Sequence, residues 1–236
     1  MDNKTFLRQI RNQEKHWWFQ ARKKIIDEII FEINFKKKIN ILDFGSGSGV
    51  NIDILQKYGE VDIQEKNKIA RINIKKIKRI NKIYSSLRVK KNHYHLILVA
   101  DVLEHVKNPR ILLKILKTFL KKDGYILITV PAYQFLFSSK DKTLKHHRRY
   151  NRTLLLKTIS DFQIVKMSYF NTLMFIPITA IILFNKIFNI DYIKKVETTP
   201  NFTINKVLYI FFSIERFYLK YFNFPFGLSI YTLIKK

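Results

Sequence analysis

The sequence predicts an α/β fold: a doubly wound, mostly parallel sheet of about seven strands, with an N-terminal helix and a helical insertion before the last strand. Three observations predict it. Short apolar runs alternate with helix-period segments from residue 14 to residue 130, as repeated strand–helix units do. One run, Tyr94 to Ala100, is almost continuously apolar, as expected of a parallel strand covered on both faces. Another, Ile39 to Phe44, ends in the turn Gly45-Ser46-Gly47-Ser48-Gly49, and in such sheets ligands sit at the carboxyl ends of the strands.

Residues 14 to 34 read as a helix, with Trp18, Arg22, Ile25, Ile26, Ile29, Ile30 and Ile33 on one face. After the glycine turn a helix is expected with Val50, Ile54, Leu55 and Tyr58 on its buried stripe; Gly59 breaks it, and Val61 to Glu65 forms the next strand. Ile69, Ile72, Ile77 and Ile80 mark a further helix. Asn108-Pro109 offers a cap and first-turn proline, and Leu112, Leu113, Leu116, Phe119 and Leu120 give the cleanest amphipathic helix. Asp123-Gly124 turns the chain into the strand Tyr125 to Val130, and a polar, basic loop then runs to Tyr150. Thr153 to Ser160 reads as a helix, Phe162 to Phe170 as a strand and Leu228 to Ile234 as the closing strand. Between them lie the apolar run Leu173 to Phe184, which contains Pro177, and the aromatic segment Val207 to Phe226.

One domain is expected over residues 1–236. It divides into an N-terminal helical segment (1–38), a core (39–170), an apolar and aromatic helical insertion (171–226) and a closing strand (227–236).

The chain has 44 Lys and Arg against 18 Asp and Glu, a formal charge of +26. Lysine-rich compositional bias, an anionic membrane surface and a nucleic-acid partner all stay open as explanations, ranked in that order. The absence of cysteine excludes disulfides, thiolate metal sites and a cysteine nucleophile. No signal peptide is visible at the N-terminus, and no uninterrupted run approaches the roughly 20 apolar residues of a spanning helix. A cytoplasmic location is expected, with contact at the cytoplasmic membrane face left open.

Glycines let a ligand approach the backbone closely, and the N–H groups at a helix start are free to bind it. The spacing Gly-x-Gly-x-Gly differs from the Gly-x-Gly-x-x-Gly dinucleotide fingerprint. An acid about 20 residues further on is placed to accept hydrogen bonds from ribose hydroxyls. Glu65 has that position, just beyond its strand, and Asp62 ranks second because its register puts it inside the strand.

Ile41-Leu42-Asp43-Phe44-Gly45-Ser46-Gly47-Ser48-Gly49 resembles motif I of class I methyltransferases that use S-adenosylmethionine. Ala100-Asp101-Val102-Leu103-Glu104-His105-Val106 resembles the segment after strand four in the type 11 and type 12 methyltransferase-domain group, and Lys121 to Pro131 resembles its turn into strand five. His16-Trp17-Trp18-Phe19-Gln20-Ala21-Arg22 and His146-His147-Arg148-Arg149-Tyr150 resemble flanking motifs of a bacterial subgroup linked with surface-glycan or lipid metabolism. The resemblance implies a Rossmann-like fold with S-adenosyl-L-methionine as cofactor. It implies that Asp43, Gly45, Ser46, Gly47 and Gly49 hold the methionine portion and adjoining ribose, and that Glu65 binds the ribose hydroxyls. Ala100 and Asp101 then lie beside the methionine end, and Arg22 pairs with the cofactor carboxylate. Two positions depart from the group: His95 stands where Asp is usual, and Ser85-Ser86-Leu87 lacks the acid that often meets adenine.

Methyl transfer from a sulfonium needs alignment, water exclusion and the handling of one proton. His105, after strand four, is the candidate general base; capping a helix or fixing the loop is its structural alternative. Asp101, Glu104 and His105 are also similar to an acid-x-x-acid-His array that binds a divalent ion in ubiquinone O-methyltransferases, but no metal is assigned here. His146, Arg149 and Tyr150 are candidates for binding the acceptor, as arginine forks suit a phosphate or carboxylate. O-methylation of a small-molecule, glycan or lipid-linked acceptor is the expected activity. RNA-directed methylation and a non-catalytic binding protein on the same fold are the alternatives. A nucleic-acid partner ranks low because the Asn/Asp-Pro-Pro-aromatic segment that accompanies base methylation is absent after strand four.

Overall fold

The computed structural model describes residues 15–75, 80–188 and 200–236. Helix α1 (Trp17–Ile33) starts where the His16 ring accepts a bond from the Trp18 N–H, and it ends at Asn34 in the left-handed conformation. Its apolar spacing buries Ala21, Ile25, Ile26, Ile29 and Ile30. Trp17 is the buried tryptophan; Trp18 and Ile33 are only half covered.

Seven strands follow: β1 (Ile39–Phe44), β2 (Gly59–Gln64), β3 (Ile80–Tyr84), β4 (Tyr94–Ala100), β5 (Leu120–Pro131), β6 (Gln163–Phe170) and β7 (Ser229–Lys235). They form one sheet in the order β3-β2-β1-β4-β5-β7-β6. β7 runs antiparallel to both β5 and β6, and the other pairings are parallel. Alternation along β4 sends Leu96 and Leu98 into the core beneath α1, and Ile97 and Val99 into the opposite core. That opposite core packs Leu112, Leu113 and Leu116 of the helix Pro109–Phe119. Each such side chain, fully buried, stabilises the fold by roughly 1.5–3 kcal/mol. The order of the strands places the topological switch between β1 and β4, where a crevice opens at their carboxyl ends.

The connecting helices are α2 (Ile52–Leu55), α3 (Lys68–Ile74), α4 (Pro109–Phe119), α5 (Ser139–Thr143) and α6 (Arg152–Thr158). Three expectations need correction. The helix expected to include Leu120 ends at Phe119, and β5 already starts at Leu120, so that Asp123 and Gly124 lie within the strand. The helix after the glycine turn is a single turn that buries Ile52 with Ile54 and Leu55, while Val50 and Tyr58 are half-buried. The helix expected to reach Ile80 ends at Ile74, with Ile72 about half exposed, and Ile80 opens the edge strand β3. Ile77 lies outside the described residues. Pairing on one side only leaves Asn81 and Lys82 in solvent, so β3 lacks the continuous apolar run that marks its neighbours.

Among the described residues, the insertion contains α7 (Phe175–Ile187) and α8 (Phe202–Leu219). Pro177 falls in the first turn of α7, where its missing N–H costs the helix nothing. Phe212 is fully buried and locks α8 to the body, with its ring 5.8 Å from Trp17, 5.1 Å from Trp18 and 6.1 Å from Phe170. The Trp17 N–H donates to Asn205 Oδ1 at 2.9 Å. By contrast, no residue of α7 is fully buried. Ile176, Phe184 and Ile187 on α7, and Phe202, Phe211 and Phe217 on α8, are each more than half exposed. Among the described residues, no helix is long and apolar enough to cross a membrane.

Candidate active site

The turn after β1 requires its glycines. Gly45, Gly47 and Gly49 have φ values of +70°, +58° and +81°, which side chains with a Cβ adopt only at a cost. At Gly45 an added Cβ would also lie 2.6 Å from a methyl group of Val102, so the turn packs directly on the segment after β4. The turn is pinned from β2: the Gly45 N–H donates to Gln64 O at 2.8 Å, and the Gly47 N–H to Glu65 Oε2 at 2.8 Å. Glu65 Oε1 accepts from the Asn67 N–H at 2.7 Å. Glu65 therefore stands at the lip of the turn, whereas Asp62 is buried within β2 and accepts from the Tyr94 hydroxyl at 2.6 Å.

Above the turn, the buried guanidinium of Arg22 pairs with Asp101, which Thr129 holds from the other side at 2.9 Å. Asp101 itself has φ +54°. Arg22 reaches three carboxylates, because Asp43 and Glu104 also bear on it electrostatically. Burial lowers its pKa to about 10, against the opposing pull of Glu104 and Asp43. Burial pushes Asp43 up to about 7, helped by Glu65 and opposed by Arg22. Glu104, 1% exposed, is pushed up to about 8 by burial.

These groups line a cleft of about 1930 Å³, larger than the roughly 300–1,000 Å³ of a typical ligand pocket. Arg22 Nε, Asp43 Oδ2, Ser46 Oγ, Ser48 Oγ, Asn51 Oδ1 and Gln64 Nε2 belong to residues of this wall, and all six atoms are buried without a hydrogen-bond partner. Each orphaned polar group costs on the order of 1–3 kcal/mol. Such a concentration on one wall fits a polar ligand that supplies the missing bonds. Helices α7 and α8 add apolar lining, Pro177, Ile178, Ile181 and Ile182 from α7 and Leu208 from α8, together with Asn185 and Lys186 of α7.

His105 and His146 meet edge to face, with ring centroids 4.5 Å apart. Burial, then the neighbouring His146, lowers His105 to about 4, so its imidazole is neutral at pH 7 and a weak base. His16 also lines the cleft, and burial, then Lys140, lowers it to about 4.

The basic segment of residues 146–150 behaves differently from the expectation. Arg149 donates from Nε and from one terminal nitrogen to the two oxygens of Asp141, both at 2.9 Å, and His146 Nδ1 lies 2.7 Å from the same carboxylate. Burial opposes ionisation of Asp141, but the bonds from His146 and Arg149 hold it well below the usual carboxylate range. The Arg149 fork is thus engaged within the chain. Tyr150 is fully buried, and its hydroxyl donates to Leu103 O at 3.2 Å. It is a core residue outside the cleft wall, because Tyr150 pairs with Ala132 beyond β5 and its ring turns inward. Asp141 escaped the sequence reading, although Ser138-x-x-Asp141 is a legible helix-start signature and forms a capping box here. Of the two departures from the family pattern, His95 lies away from the cleft and accepts from the Asn40 N–H. Leu87 lines it.

Comparison with known proteins agrees with this geometry. A family model described as "Methyltransferase domain" matches residues 16–171. No curated protein sequence matches the chain. Among solved structures, the plantazolicin methyltransferase BpumL in complex with SAH is 16% identical, with 100% of this chain and 90% of that chain covered and a TM-score of 0.59. A SAM-dependent methyltransferase from Archaeoglobus fulgidus is 16% identical over 91% and 94% of the two chains, TM-score 0.56. Coclaurine N-methyltransferase bound to N-methylheliamine and SAH is 18% identical over 89% and 70%, TM-score 0.55. The chain belongs to the methyltransferase-domain family: it is a class I methyltransferase whose cofactor is S-adenosyl-L-methionine.

Proposed function

We propose that this methyltransferase O-methylates a hydroxyl on an apolar acceptor of the lipid-linked kind, working against an anionic membrane surface. The observation that carries the proposal is the character of α7 and α8. They offer Pro177, Ile178, Ile181, Ile182 and Leu208 to the cleft, and to solvent a set of aromatic and aliphatic side chains interspersed with Lys186, Lys206 and Lys220. Apolar residues mixed with cations suit the interfacial zone of an anionic bilayer, and the formal charge of +26 adds attraction. The resemblance of the His16–Arg22 and His146–Tyr150 segments to a subgroup linked with surface-glycan or lipid metabolism agrees with it.

On this reading, Asp43 and the backbone from Gly45 to Gly49 receive the methionine portion and adjoining ribose, and Glu65 the ribose hydroxyls. Arg22, held over Asp101, meets the cofactor carboxylate through its unpartnered Nε, and Ala100 and Asp101 flank the methionine end. The bound cofactor supplies an electrophilic methyl group and a neutral thioether leaving group. The protein's part is to align the acceptor oxygen in line with that methyl, exclude water and manage the hydroxyl proton. His105 stands at the acceptor end and acts on that hydroxyl. His146 and Arg149 shape this end of the cleft, Arg149 through its hold on Asp141.

Two measurements test the proposal together: flotation with vesicles containing anionic lipid at low salt, and label transfer from the radiolabelled cofactor to membrane and glycan extracts. Flotation with vesicles and label in an organic-extractable hydroxyl compound support it. A protein that stays in solution, or label found only in water-soluble or nitrogen-methylated products, overturns it.

A further inference from the structure

We infer that Glu104, His105 and His146 form a binding site for one divalent transition-metal ion at the acceptor end of the cleft. Each of the three offers a ligand atom, and these atoms all lie within 4.8 Å of one another. The three residues come from two places in the chain, the tight turn Leu103–His105 after β4 and the loop after α5. A bond from the His147 N–H to Glu104 O, at 2.7 Å, holds those two places together.

The orientation of the ligands is what distinguishes this cluster from a chance meeting of side chains. His146 Nδ1 is anchored on the Asp141 carboxylate at 2.7 Å, which leaves Nε2 as the free ring nitrogen. The His105 ring meets the His146 ring edge to face, with centroids 4.5 Å apart. Fixing one imidazole nitrogen on a carboxylate or carbonyl while the other faces a cation is how proteins orient metal-binding histidines. Glu104 adds an independent observation. Its side chain is 1% exposed, yet its Oε2 has no hydrogen-bond partner. A carboxylate oxygen buried without a partner carries a substantial desolvation penalty, and a cation between it and the two imidazoles removes that penalty.

The donor set also fixes the class of ion. Two imidazoles with one carboxylate suit Zn²⁺, Fe²⁺ or Co²⁺ better than Mg²⁺ or Ca²⁺, which prefer all-oxygen surroundings. Three protein ligands leave a coordination position open, as in sites that bind a substrate oxygen. All three residues line the cleft, so the open position is accessible to an acceptor hydroxyl, whose acidity a cation raises. Asp101, three residues before Glu104, is held by Arg22 and Thr129 and stays out of the cluster. This role for the ion rests on the proposed hydroxyl acceptor, but the binding site stands on the geometry alone.

The test titrates the full chain, stripped of metal with a chelator, with Co²⁺ while its ligand-field absorption is recorded, and with Zn²⁺ by calorimetry. Wild type is expected to take up one ion per chain and to develop the visible spectrum of a low-coordinate N/O site. His105→Ala and His146→Ala should each weaken binding at least 100-fold, and His147→Ala, an exposed neighbour, less than threefold. Calorimetric affinity for S-adenosyl-L-methionine, measured on every variant, confirms that each one folds. It also separates the two readings, because loss of cofactor binding with Co²⁺ uptake intact sinks the functional proposal and leaves the metal site standing. No stoichiometric uptake by wild type, or equal uptake by folded His146→Ala, overturns the inference.

Discussion

Replacing Arg22 with methionine should destabilise the protein by an amount that grows with pH, and the structure sets the size of the effect. Arg22 is buried and bonded to Asp101, with Asp43 and Glu104 also bearing on it. Below pH 7 the last two carboxyls are largely protonated, because burial already raises them to about 7 and 8. There the substitution strands only Asp101, whose side chain is 29% exposed. The cost at pH 6 should therefore be ~2 kcal/mol, below the ~3–5 kcal/mol for breaking a fully buried pair. A carboxyl whose folded pKa lies above its unfolded value makes stability fall as pH rises between the two values. Arg22 holds both pKa values down, so its removal extends that fall beyond pH 7 for Asp43 and beyond pH 8 for Glu104. If each rises by about one unit, at ~1.4 kcal/mol per unit of full titration, the loss at pH 9 should exceed that at pH 6 by ~2 kcal/mol, since Glu104 is then only half titrated. Urea denaturation of both proteins at the two pH values, without cofactor, measures the difference. A penalty that is the same at both pH values, or larger at pH 6, would refute the three-carboxylate account.

Three further outcomes are expected. Gly47→Arg should leave the fold intact at a cost of ~1–2 kcal/mol, since a Cβ there meets only Gly45 O at 3.9 Å and the penalty is the positive φ; calorimetric affinity for S-adenosyl-L-methionine should fall at least 100-fold. Glu104→Gln should flatten the pH dependence of stability between about pH 4.5 and 8, removing up to ~1.4 kcal/mol per pH unit, as thermal melts across that range would reveal. Phe212→Ala should cost ~3–5 kcal/mol and shift the fluorescence of Trp17 and Trp18, because the ring fills the joint between α1, α8 and the sheet. An unchanged tryptophan spectrum would mean that α8 does not dock through this residue.

Local chemistry made much of the fold legible. The apolar run of β4, the glycine turn after β1 and the amphipathic spacing of α4 each signal their structure over a few residues, because a buried parallel strand, a positive φ and a one-sided helix all constrain nearby positions. The edge strand β3 was misread as the end of a helix because one of its sides has no neighbouring strand and its polar residues carry no burial signal. Glu65 was identified from its distance along the chain to the turn. Asp141 was missed because its importance comes from partners five and eight residues away, gathered by a loop of no regular period.

The sequence by itself determined the strand–helix alternation, the glycine turn and the acid beside it, since these depend on short-range backbone geometry and on which residues tolerate it. Only the tertiary structure decided how the polar groups pair. It directed Asp101 to Arg22, closed Arg149 on Asp141, sank Tyr150 into the core and brought His146 to Glu104 and His105. The physical reason is that a buried charge or imidazole takes whichever partner the packed chain presents within about 3 Å, and separation along the sequence sets no limit on that choice.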